Sequence, residues 1–244
     1  MMEAAAAAQA ASTGAPPVLQ AFGVAKHYGE TVALQSVTLA VAAGESLAVM
    51  GPSGCGKSTL LQILSGITLP DSGDVLYSGP AGGQNLGELD DDARAALRAR
   101  EFGFVFQQGL LLGELTAAEN VAVPLMLAGT APREAVARAG QLLAQVGLGG
   151  LDARRMGQLS GGQAQRVAIA RAIASDARVV FADEPTGALD SHTATEVLEL
   201  LLAHTAGQQR ALVIVTHDES VAARCSRIVR MSDGRVVSDV QVAS

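Results

Sequence analysis

The chain has 244 residues, enough for one sizeable core with a small inserted subdomain and too few for a long multidomain machine. Alanine supplies much of its 49% apolar content, and the one charge-free run long enough to cross a bilayer, Ala4 to Ala25, is broken by Gly14, Pro16 and Pro17, so a soluble domain is expected. A net charge of −7 offers no broad basic field for nucleic-acid phosphates, and nucleic acid is not an expected partner.

Residues 1–17, MMEAAAAAQAASTGAPP, lack the charged start and Leu-rich stretch of a signal peptide and read as a disordered Ala-rich tail. A single domain is expected over 18–244, with its core at about 18–107 and 164–244 and a helical subdomain at about 108–163. Cys55 and Cys225 lie far apart without CxxC spacing, which argues against a zinc site or a disulfide framework and fits a reducing cytoplasm.

From Val18 the runs VLQAFGV, SVTLAV and SLAVM read as strands, and STLLQILSG after the last of them reads as a helix, giving a βα pattern. Between strand and helix lies GPSGCGKST, Gly51 to Thr59, in the strand-loop-helix context that a phosphate-binding loop requires. Gly51, Gly54 and Gly56 let the backbone curl so that its N–H groups point at phosphates, at the positive end of the helix. Ser53 and Cys55 complete the loop. Lys57 reaches the β- and γ-phosphate oxygens, Ser58 ligates Mg²⁺ through its hydroxyl, and Thr59 caps the helix or touches the α-phosphate. A nucleotide and Mg²⁺ are therefore the expected cofactors, with ATP the nucleotide implied by the family resemblance given below. Cys55 reads as a small residue at a tolerant position, and the helix start lowers a thiol pKa, so its alkylation is expected to block hydrolysis with ATP protecting. The chain has only two lysines, Lys26 and Lys57, and the loop accounts for the second.

Gly/Ser/Pro-rich turns follow around PDSGDVLYSGP, then a polar helix ELDDDARAALRAR and an aromatic strand FGFVF. Residues 107–163 have little strand character. Within them PREAVARAGQLLAQVGL places Val136, Ala139, Leu142, Leu143 and Val146 on one helical stripe, which marks an inserted helical subdomain. In LSGGQAQRVAIARAI, Ser160, Gly161 and Gly162 form a second phosphate-binding turn at a second helix start.

VVFAD and ALVIVTH are apolar on both faces, as buried parallel strands should be, with the helix TATEVLELLLAH between them. The first delivers Asp183 to a strand end, where it is suited to hold Mg²⁺ through water, and Glu184 next to it can face an attacking water as general base. RIVRMSDGRVVSD reads as a hairpin turned at Asp233 and Gly234.

The run LSGGQ, Leu159 to Gln163, together with the phosphate loop, resembles the nucleotide-binding subunits of ABC transporters over residues from about 19 to 240. The resemblance implies an α/β P-loop NTPase (RecA-like) core with a mainly parallel sheet, an N-terminal antiparallel β subdomain and an inserted α-helical subdomain. It also implies a dimer, most simply of identical chains, in which the turn Ser160, Gly161, Gly162 and Gln163 of one chain covers the γ-phosphate held by the other. By the same resemblance Tyr28 in KHYG stacks on adenine, and Gln107 touches Mg²⁺ and water and links to the transmembrane partner. Asp190 in GALD contacts the dimer partner, and His217 contacts the γ-phosphate.

DEPTGALDSHT, GFVFQQGLLLGELTAAENVAVPLMLAG and VIVTHD look most like the branch serving lipoprotein release, macrolide and peptide efflux, and cell division. That likeness implies a separate four-helix permease with a large extracytoplasmic domain, a place at the cytoplasmic face of the membrane, and export or mechanical work driven by dimer closure. Gly109, Leu110 and Gly113 depart from the branch's pattern after Gln107, which puts the permease-docking groove's usual preference in doubt. The alternative is a soluble or regulatory ABC ATPase, acting in cell division, on the ribosome or on DNA.

Overall fold

Strand β1 (Pro17–Tyr28) folds back through a two-residue turn at Gly29 and Glu30 into β2 (Thr31–Ala42) in the computed structural model, which describes residues 16–107 and 110–242. The expected tail lies, up to residue 15, outside the described residues. Two further strands, β4 (Ser72–Gly79) and β5 (Gly82–Asn85), complete a four-stranded antiparallel sheet of order β2-β1-β4-β5. The segment read as turns around PDSGDVLYSGP is therefore mostly strand. Its buried Val75 and Tyr77 pair with Ala21 and Leu19 of β1, and this partnership outweighs the turn-forming Gly and Ser around them.

The second sheet holds β3 (Ser46–Met50), β6 (Phe102–Phe106), β7 (Val179–Asp183), β8 (Ala211–Val215), β9 (Arg227–Ser232) and β10 (Arg235–Gln241), in the order β10-β9-β3-β8-β7-β6. All neighbours are parallel except the β9–β10 hairpin, whose turn residues Asp233 and Gly234 take φ of 48° and 74°, as a two-residue Asp-Gly turn demands.

Strand alternation divides the core into two layers. Leu47, Val49, Phe181 and Val213 pack toward helix α1 (Lys57–Leu64) and the antiparallel sheet. Ala48, Met50, Val180 and Ile214 face the opposite way and share one cluster with helices α3 (Ala117–Leu127), α4 (Pro132–Gln145), α5 (Gly161–Ile173) and α6 (Ser191–His204). Helix α2 (Asp91–Glu101) leads into β6, and the short α7 (Glu219–Ala222) follows β8. The helical subdomain thus shares its core with the sheet, and α5 joins the two.

On α4 the buried stripe is Ala135, Ala139 and Leu143, with Val146 just beyond the helix, and Val136 is 41% exposed. Ala139, Leu143 and Val146 are buried as expected and Leu142 packs against the same cluster, whereas Ala135 rather than Val136 opens the stripe. Among the described residues no helix is long and apolar enough to cross a membrane.

Candidate nucleotide site

The phosphate loop connects β3 to α1 at the carboxyl edge of the parallel sheet, the edge where ligands of such sheets bind. Gly56 precedes the helix at φ 101°, with no side chain capping the helix start. A Cβ on it would meet the Ala33 carbonyl of β2 at 2.3 Å, so only glycine lets the loop close against the antiparallel sheet. Thr59 is already inside α1 and does not cap it, contrary to one of the two roles expected of it. The uncapped first turn, with Lys57, Ser58 and Thr59 in succession, leaves its N–H donors and the positive end of the helix dipole for an anion.

Lys57 is buried, and its Nζ donates to the Gly51 carbonyl at 2.8 Å and the Pro52 carbonyl at 2.9 Å. The ammonium is thereby drawn across the mouth of the loop, against acceptors weaker than a phosphate oxygen. Ser53 and Gly54 are exposed on the rim. The Cys55 side chain instead turns inward, 5% exposed, into the cluster between the sheets, while its carbonyl accepts from Gly234 N at 3.1 Å. Its position is therefore packed rather than tolerant, and the thiol is not presented for alkylation.

Across the sheet edge, the Ser58 hydroxyl lies 3.4 Å from Asp183 Oδ1. Burial pushes the Asp183 carboxyl above its ordinary range and the neighbouring Glu184 adds to this, while Ser58 and Lys57 pull the other way. A hydroxyl and a desolvated carboxylate converging beside a lysine form a hard oxygen donor set, and Ser58 and Asp183 fit a magnesium ion carried in with a nucleotide.

Glu184 follows with φ 47°, a left-handed conformation that is costly for a residue with a Cβ. Its N–H donates to the Val215 carbonyl at 2.9 Å and its carbonyl accepts from Gly187 at 3.2 Å, and these bonds hold the turn. The turn aims the carboxylate at His217, whose Nδ1 is 2.8 Å from Glu184 Oε1. A carboxylate only accepts, so Nδ1 carries the proton. The hydrogen bond to Glu184 raises the imidazole above its ordinary range. Beside the pair opens a cavity of about 370 Å³, lined by Gly187, Ser191, Thr195 and Arg224 among others, large enough for several waters.

Gln107, exposed at the end of β6, packs against Gly187, where a Cβ would sit 3.1 Å from its Nε2. Tyr28 ends β1 at 50% exposure, on the hairpin whose β2 strand abuts Gly56.

The structure thus brings Lys57, Ser58, Asp183, Glu184 and His217 into one constellation, with Gln107 beside it. Ser160, Gly161, Gly162 and Gln163 stand apart at the start of α5, where Ser160 and Gln163 form a reciprocal capping box. A Cβ on Gly162 would meet Thr193 Cγ2 at 2.4 Å, so glycine there lets the turn lie close against α6. Asp190 caps α6 by accepting from the N–H groups of His192 and Thr193, both at 3.1 Å. Two contributors escaped the sequence reading. Gln165 lies just beyond the Ser160–Gln163 turn and donates to the Phe106 carbonyl at 3.1 Å, and Thr193 backs Gly162. Only the polarity of Gln165 on an otherwise apolar helix face hinted at the first.

A family model described as "ABC transporter" matches residues 34–187. The macrolide export ATP-binding/permease protein MacB of Hyphomonas neptunium is 45% identical over 229 residues, 92% of this chain and 35% of that protein. The pyoverdine export ATP-binding/permease protein PvdT of Pseudomonas syringae pv. tomato is 44% identical over 228 residues, 91% of this chain and 34% of that protein. The chain therefore spans about a third of the length of these relatives. Among solved structures, a dimeric ATP-binding cassette in a post-hydrolysis state bound to ADP and Pi superposes with a TM-score of 0.83 at 37% identity, covering 93% of this chain and 99% of that one.

Proposed function

Since the chain belongs to the ABC transporter family, of which it forms the ATPase domain, we propose that two copies close around two ATP molecules and that this closure drives export through a permease. Each site would combine Lys57, Ser58, Gln107, Asp183, Glu184 and His217 of one chain with Ser160 and Gly162 of its partner. The observation carrying this reading is the separation just described. The phosphate loop and the Glu184–His217 pair lie together, whereas a second anion-binding turn is exposed at another helix start, oriented by its own capping box.

In this scheme the loop N–H groups and Lys57 hold the β- and γ-phosphates, and Tyr28 stacks on the base. Ser58 and Asp183, with Gln107 close by, would hold a magnesium ion, which would neutralise phosphate charge. Glu184 takes the proton of the attacking water, and His217 fixes the carboxylate through Nδ1 while its second ring nitrogen is left for the γ-phosphate. Asp190 at the start of α6 faces the partner chain.

A permease partner, rather than a soluble or regulatory role, is favoured by an apolar groove of about 460 Å³ next to Gln107. Phe104, Phe106, Pro124 and the 72%-exposed Leu127 line it, together with Leu110, one of the departures noted after Gln107. The export-protein relatives support the same assignment, and the reading carries with it a position at the cytoplasmic face of the membrane. Mechanical work on a large extracytoplasmic permease domain is the form of export we favour.

Replacing Glu184 by Gln tests the scheme. Hydrolysis should slow by about 10²- to 10⁴-fold, as for loss of a general base, while ATP binding persists and an ATP-dependent dimer accumulates in light-scattering chromatography. Turnover at the wild-type rate would remove Glu184 from the chemistry, and a chain that stays monomeric with ATP would remove the shared site.

A further inference from the structure

Lys26 is the one lysine that the phosphate loop does not explain. It lies two residues before Tyr28 on β1, with its side chain only 16% exposed. Its Nζ donates to Asp71 Oδ1 at 2.7 Å and sits 5.7 Å from the centroid of the Tyr28 ring. We propose that Lys26 and Asp71 are positioning residues for the nucleotide base, holding Tyr28 at the place where the base stacks. This rests on the reading of Tyr28 as the base-stacking residue.

The strand end that carries Tyr28 needs such support. Along β1 the pairing with β4 stops at Ala25 opposite Ser72, so the last three residues have β2 on one side and no strand on the other. Asp71, the residue just before β4, occupies the vacated side. Its N–H donates to the Ala25 carbonyl at 2.9 Å, its Oδ2 accepts from the His27 N–H at 2.7 Å, and its Oδ1 takes the Lys26 ammonium. One residue thereby grips three successive residues ahead of Tyr28. His27 Nδ1, 3.4 Å from Oδ2, is the other titratable neighbour. The Lys26 and His27 contacts hold the Asp71 carboxyl below its ordinary range, so it is ionised wherever the enzyme would work.

Lys26 completes the device from the ring side. A lysine over a tyrosine face is attracted by the ring quadrupole, and here the ammonium is anchored by Asp71 rather than moving with its own stem. Half of Tyr28 stays exposed, so the ring is held without being covered. The opposite strand ties this arrangement to the phosphate loop. Lys26 pairs with Leu34, and a Cβ on Gly56 would touch both the Ala33 carbonyl and Leu34. Base platform and phosphate cradle are therefore set at a fixed separation by one hairpin.

The test is a set of variants, Lys26→Met, Lys26→Arg, Asp71→Asn and Tyr28→Ala, assayed for steady-state ATP hydrolysis in the dimer-forming protein, with thermal melts to establish folding. Lys26→Met keeps the apolar stem, and Lys26→Arg keeps the charge. Tyr28→Ala and Lys26→Met should each raise KM for ATP by about 3- to 10-fold with kcat changed less than about 2-fold, the size expected for losing a held aromatic contact. Lys26→Arg should recover most of the loss. In Tyr28→Ala, adding Lys26→Met should cost nothing further, which a merely structural ion pair would not predict. If Tyr28→Ala leaves KM unchanged, the base-stacking reading fails and the inference with it. If Tyr28→Ala raises KM while Lys26→Met and Asp71→Asn do not, or if the two losses multiply, the positioning role alone is overturned. Should Lys26→Met not fold, Asp71→Asn and Lys26→Arg decide by the same KM comparison.

Discussion

Gln165 Nε2 donates to the Phe106 carbonyl across 3.1 Å, joining the signature helix α5 to the last residue of β6 before Gln107. Gln165 is 3% exposed. Further along the same helix, Arg171 Nη1 donates to the Leu110 carbonyl at 2.8 Å. The helix that begins with Gly161 therefore grips the chain on both sides of Gln107, so any displacement of α5 would be carried to the edge of the apolar groove. Gln165→Leu fits the space but leaves the part-buried Phe106 carbonyl without this donor, at a cost of about 1 kcal/mol or more. The melting temperature should fall by several degrees, and ATP hydrolysis should fall more than ATP affinity, because the loop nearest the reaction loses its anchor. An unchanged melting temperature would show that the carbonyl finds another donor.

The His217 titration follows from its contact with Glu184. The hydrogen bond raises the imidazole above its free value of about 6.5. For a cationic group with a raised folded-state value, the stabilisation is complete below the unfolded value and is lost as pH rises through the folded one. With 73% of the His217 side chain exposed, the effect on overall stability is small, and proton NMR of the imidazole is the suitable measurement. The midpoint should lie above 6.5 in the nucleotide-free protein and fall back toward it in Glu184→Gln. A midpoint at or below the free value, or one unmoved by the substitution, would mean that the pair does not form in solution.

What was legible in the sequence is the chemistry that needs contiguous residues. Closely spaced glycines followed by a lysine mark residues 51–59, a Ser-Gly-Gly turn ahead of a helical run marks residues 160–163, and a strand running into Asp183 and Glu184 places two carboxylates at the edge of the parallel sheet. Some local structure was also there to be found. Thr116 and Glu119 form a reciprocal capping box at the start of α3, a Thr-x-x-Glu signal. The remainder depends on partners distant in the chain. β4 is a strand because β1 lies beside it. Asp71 acquires its role from residues 44 and 45 positions away, and Cys55 points inward because the β9–β10 hairpin and the β2 strand close over the loop. The left-handed Glu184 has no sequence mark, since its backbone is held by Val215 and Gly187.

Arg227 is the strongest of these distant ties. It is 2% exposed and binds Asp239 bidentately, with both contacts at 2.6 Å, Glu45 Oε1 at 3.1 Å and the Ala40 carbonyl at 2.9 Å. Glu45 in turn accepts from the Ala42 N–H at 2.7 Å. One guanidinium thus joins the β9–β10 hairpin, the entry to β3 and the end of β2, the three pieces that set the phosphate loop against the Tyr28 hairpin. Arg227→Met keeps the volume but leaves the buried Glu45 carboxylate without its cation, and breaking a buried pair in this way costs about 3–5 kcal/mol. For a chain of this size that corresponds to a fall in melting temperature on the order of 10 °C. Asp239→Ala should cost less, because Glu45 still holds the guanidinium and the Asp239 side chain is 16% exposed, so water can replace it. Thermal denaturation of the two variants checks the order. If Asp239→Ala were the more damaging, the bidentate pair rather than Glu45 would be the anchor between the sheets.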